Sequence, residues 1–124
     1  MKPFKYLFLG IIFILFSFTG PDCGILKNGK FTYKNGKKIV YVEFNGNKHV
    51  EYHDDREYFI KSTIEWISDC EYYLTINEST LPNFPFKMGS KLHIQITKVR
   101  GVKVYYKSTL NKRSWEGKLV QQKE

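Results

Sequence analysis

Two histidines and a glutamate alternate in His49-x-Glu51-x-His53. In a strand, alternate residues share a face and stand about 7 Å apart. Two imidazoles and a carboxylate so placed could take zinc with some adjustment, as a metal carrier or an enzyme would. The commoner fate of such a pattern beside a turn is a solvated polar face, so these three are weak metal candidates.

The chain has two cysteines, Cys23 and Cys70. A catalytic cysteine needs a base held in place by a third group. The alternation puts His49 and His53 on the face away from the core, and Cys70 on the face toward it. A two-cysteine metal site would need further ligands nearby, and neither cysteine belongs to a Cys-x-x-Cys pair. In an oxidising compartment the simplest use of a lone pair is a disulfide. Free thiols, and beyond them a catalytic or metal role, are the alternatives. A bridge over this separation stabilises by about 4 kcal/mol at most on the chain-entropy model.

The compartment is read from the start of the chain. Met1-Lys-Pro-Phe-Lys5 is a short positive head, and the uncharged run Tyr6–Phe18 follows. Small residues stand at Ser17, Thr19 and Gly20. That order is a secretory signal, with residues 1–19 forming a signal helix and cleavage after Thr19. The run is shorter than the roughly 20 residues a spanning helix needs. A lipid on Cys23 is the competing fate, but Asp22 precedes it where a small residue is wanted. Export to the periplasm, cell envelope or medium follows. The membrane is then met only through an uncleaved signal or that lipid.

Removing residues 1–19 leaves a single β domain, residues 20–124. The net charge of +8 falls by two with Lys2 and Lys5. The remaining lysines are spread evenly, as a solubilising coat is, and nucleic acid is not an expected partner outside the cytoplasm.

Nearly all of this domain alternates with period two. Phe31 and Tyr33 open the pattern, and Val40, Val42 and Phe44 continue it. Val50 and Tyr52 are the expected inward residues of the next run. Tyr58–Ile67 fits a helix or a strand, and its β-branched and aromatic content favours a strand. Cys70, Tyr72, Leu74 and Ile76 share a face, as do Leu92, Ile94 and Ile96, then Val102, Val104 and Tyr106. Trp115 and Leu119 mark the last run. Asn35-Gly36, Asn45-Gly46, Asp54-Asp55, Ser68-Asp69, Arg100-Gly101 and Asn111-Lys112 are turn signals.

About eight short strands with tight turns make an antiparallel up-and-down meander, all-β. Closure into a small closed or partly open barrel removes exposed edges. A β-sandwich is the alternative. At this strand number the interior is filled by side chains or holds one small ligand. A cavity of about 300 Å³ or more, lined by Tyr33, Tyr52, Tyr72 and Trp115, is the mark of the second case. The loop Leu81–Met88 carries Phe84 and Phe86, as a lid or partner patch, or as a plug for the end of the core.

Two stretches carry a resemblance: Cys23-x-x-Leu-x-x-Gly-x-Phe-x-Tyr33 and Ser62-Thr-Ile-Glu-Trp-Ile-Ser-Asp-Cys-Glu-Tyr-Tyr-Leu74. They resemble small exported bacterial proteins of unknown function with a Trp-x-x-Asp-Cys-Glu-Tyr core. The resemblance implies a bridge from Cys23 to Cys70 and no activity. Relatives are sometimes labelled DNA topoisomerase IV, and a short exported domain has no room for that enzyme's gates. Gly29-Lys-Phe31 is loosely similar to the Gly-x-Trp of lipocalins.

There is no Gly-rich phosphate loop, nucleophile elbow or paired-carboxylate motif, so no catalytic residue and no cofactor are expected. The first expectation is a non-catalytic secreted or envelope β-barrel that takes a small apolar ligand or an envelope partner. The alternatives are a structural or inhibitory envelope protein with a filled core, and, least, metal or enzyme chemistry through His49, Glu51 and His53.

Overall fold

The structure is a computed structural model that describes residues 22–123. The signal helix and its cleavage site lie outside those residues. A 3₁₀ turn, Gly24–Leu26, precedes eight strands. These are β1 (Asn28–Asn35), β2 (Lys38–Asn45), β3 (Lys48–His53), β4 (Tyr58–Ser68), β5 (Glu71–Ser79), β6 (Lys91–Arg100), β7 (Lys103–Leu110) and β8 (Arg113–Gln121). Each pairs antiparallel with the next, and β8 pairs with β1 to close the barrel. The closing seam is short: Phe31 pairs with Gln121 and Thr32 with Val120. The ambiguous Tyr58–Ile67 segment is a strand.

Gly36 and Gly46 stand at φ of +66° and +62°, values that side chains with a Cβ rarely adopt. The two-residue turns they open join Asn35 to Lys38 and Asn45 to Lys48.

Closure gives the barrel two ends, with alternate turns at each. At one end the core is solid. Leu26 and Phe31 are fully buried there, and Phe31 meets Phe44 edge to face at 5.5 Å. The Cys23–Cys70 disulfide ties the entering segment to the β4–β5 turn, with Cα atoms 5.2 Å apart. Lys27 reinforces this tie through Asp69 at 2.7 Å, with its ammonium over the Trp66 ring. Trp66 Nε1 donates to the Gly46 carbonyl at 2.9 Å.

Two expectations are corrected. Cys70 does not lie on the inward face of a strand; it sits in the Asp69–Cys70 turn, and Tyr72, Leu74 and Ile76 alone form that inward row. A register shift between Trp66 and Ser68 keeps Trp66 opposite Tyr72 on the inner face.

The second correction matters more. His49, Glu51 and His53 point into the barrel, and Val50 and Tyr52 point out. Directly opposed residues in an antiparallel pair share a face. His49 opposes inward Phe44, and Glu51 opposes inward Val42. The polar row therefore lies inside. Outside, Tyr41 and Tyr52 hold the Arg56 guanidinium, each ring centroid 4.8 Å away.

Candidate ligand-binding site

Toward the other end the barrel is hollow. A cavity of about 830 Å³ opens there, lined by inward residues of most strands and by the β5–β6 loop. Its apolar wall includes Ile60, Leu74, Ile76, Leu92 and Ile94. Tyr33, Tyr72 and Trp115 line it as the alternation requires, and Tyr52 does not.

The polar row of β3 forms its centre. The Tyr33 hydroxyl donates to Glu51 Oε1 at 2.7 Å, and His53 Nε2 lies 3.1 Å from the same oxygen. The Glu51 side chain keeps 20% of its surface accessible although it faces inward. That surface opens on the cavity. Burial pushes the Glu51 carboxyl upward, but the His53 hydrogen bond, the nearby His49 ring and the Tyr33 hydrogen bond together outweigh it and hold it below the usual carboxylate range. His49 is pushed down by burial, against the pull of Glu51.

Three tyrosines surround this carboxylate. Burial, then Glu51, raises the Tyr33 hydroxyl well above its ordinary value. Tyr72 is raised by burial, Tyr106 and Glu51. Tyr106 is pushed up to about 12 by burial and Glu51. All three stay protonated as hydrogen-bond donors.

Several polar atoms at this wall are unsatisfied. His49 Nδ1, Ser62 Oγ and Ser108 Oγ are buried without a hydrogen-bond partner among the described residues. Such groups cost free energy unless something completes them.

Tyr106 owes its place to Gly117. The two are paired across β7 and β8, and a Cβ at Gly117 would overlap the Tyr106 ring. Sequence reasoning put Tyr106 inward but did not single out Gly117 or the two serines. The available signal was a glycine inside a strand, which marks a close approach.

The mouth is covered by the loop between β5 and β6. Phe84 meets Phe86 at 5.4 Å, and Phe86 stacks on Trp115 at 5.7 Å and 12°. Gly89 N and Ile76 N donate to Ile76 O and Ser90 O, at 2.6 and 2.9 Å, and pin one end of the loop to β5. The phenylalanines cap the opening, and side chains do not fill the space beneath it.

The remaining histidine and the two cysteines do not join this site. His93 lies on the outer face, bonded to Glu71 and tilted against Tyr73. Among the described residues no group of three or more His, Cys, Asp or Glu side chains is arranged to hold a metal ion. His49, Glu51 and His53 share a wall, yet Glu51 and His53 satisfy each other. Both cysteines are joined in the disulfide.

No family model, no curated protein and no solved structure matches this chain, and the cavity itself carries the functional reading.

Proposed function

We propose that this chain is an exported, non-catalytic β-barrel that holds one small amphipathic ligand in its interior. The observation that carries this reading is the 830 Å³ cavity beneath the Phe84–Phe86 cap. Ligand pockets run from about 300 to 1,000 Å³, with mostly apolar walls and a few convergent polar groups. A filled core would leave no such space, which speaks against a purely structural protein. The buried polar row changes the expected ligand from apolar to amphipathic.

Export is supported by the leader at residues 1–19 and by the disulfide, which persists in oxidising compartments. The Cys23 sulfur is spent on Cys70, so no thiol is left there for a lipid thioether. That supports a freely exported domain over a lipid-anchored one.

Uptake of the neutral dye Nile red by the mature protein tests this. A saturable, one-to-one blue shift of its emission is expected in wild type, and Leu74→Trp should abolish it by filling the cavity. No uptake, or equal uptake by the filled variant, would refute an internal site.

A further inference from the structure

One carboxylate points inward from the wall of the cavity, that of Glu51, and it selects the ligand's head. Glu51 accepts from Tyr33 and His53 through Oε1 alone, and the rest of its carboxylate borders the cavity. The groups facing it from the packed strands are Tyr33 of β1, His49 and His53 of β3, Tyr72 of β5 and Tyr106 of β7. None is a lysine or an arginine. Lys34 and Lys118 border the cavity only from outward-facing positions of β1 and β8.

An anionic head would meet a buried carboxylate with no lysine or arginine facing it, at a high electrostatic cost. A cationic head would gain a charge-assisted hydrogen bond and lie among three electron-rich rings.

We infer that the ligand is a small amphipathic amine, its ammonium on Glu51 within the Tyr33, Tyr72 and Tyr106 rings and its apolar body toward Phe86 and Trp115. This rests on the barrel being a ligand-holding protein. The Glu51 contact sets selectivity, and the apolar wall sets most of the affinity.

A matched set of octylamine, octanol and octanoate, titrated into the mature protein by calorimetry, tests it. The expected order is octylamine first, by on the order of tenfold over octanol, with octanoate weakest. Glu51→Gln should erase the lead of octylamine over octanol. Equal binding of amine and alcohol by wild type, or a lead for octanoate, would overturn the amine assignment and leave the cavity reading standing. Failure of all three to bind would overturn both. The wild-type order decides the matter even if Glu51→Gln does not fold.

Discussion

The Tyr33 hydroxyl hydrogen-bonds Glu51 Oε1 at 2.7 Å, joining β1 to β3 across the inner face of β2, which lies between them. The bond spans the inside of the barrel and holds the carboxylate in one orientation. A hydrogen bond to a charged group contributes about 1.5–3 kcal/mol. Tyr33→Phe should therefore lose stability within that range in a urea titration at neutral pH. An unchanged midpoint would mean that the carboxylate finds its partners elsewhere.

Acid should weaken the fold in two steps. His49 has a lowered value in the folded barrel, so the unfolded chain binds its proton first as pH falls below about 6.5. Stability then declines with falling pH, by at most about 1.4 kcal/mol per pH unit for one proton. Glu51, also lowered, contributes stability that is present above its ordinary range and lost as pH falls through its folded value. His49→Gln should flatten the first step and, because His49 helps to hold the Glu51 carboxyl down, shrink the second without abolishing it. Urea midpoints at a series of pH values measure both, and an unaltered first step would remove His49 from the account.

A two-residue turn after Asn45 opposes residues whose numbers sum to an odd value. Inward Val42 and Phe44 therefore require inward Glu51 and His49, wherever within one residue the turn is placed. Period-two hydrophobicity pointed the other way, because Val50 and Tyr52 are the apolar residues of β3. A filled core would have made that choice right. In a hollow barrel polar residues can stand inside beside a ligand, and the outer Tyr52 finds its contact in Arg56. The eight strands, most of their inward rows and the Cys23–Cys70 pairing were legible, since alternation, turn residues and a lone cysteine pair are local signals. The register shift near Ile67 and the Tyr106–Gly117 fit are not, because they depend on what a neighbouring strand presents.

Gly117→Ala tests that last fit. The added methyl must push the Tyr106 ring off β8, and overpacking of this kind costs about 1–3 kcal/mol. Pairing it with Tyr106→Leu, which shortens the obstructing side chain, should recover much of the loss in denaturant melts. If Gly117→Ala alone is neutral, the ring is not seated against that glycine.

The disulfide should matter to stability more than to the cavity. It lies at the solid end, and the bridged residues are 47 apart in sequence. Cys23→Ser with Cys70→Ser should lower stability by up to about 4 kcal/mol, read from denaturant midpoints. Where the double variant remains folded, its octanol affinity should match wild type. A selective loss of binding would place the staple in the site.

The most direct measurement is the amide NMR spectrum of the mature protein during titration with octylamine. The account predicts saturable shifts centred on Tyr33, Glu51, Tyr72 and Tyr106, with outward Tyr41 and Tyr105 unmoved. Shifts that never saturate, or that spread over the outer face, would contradict it.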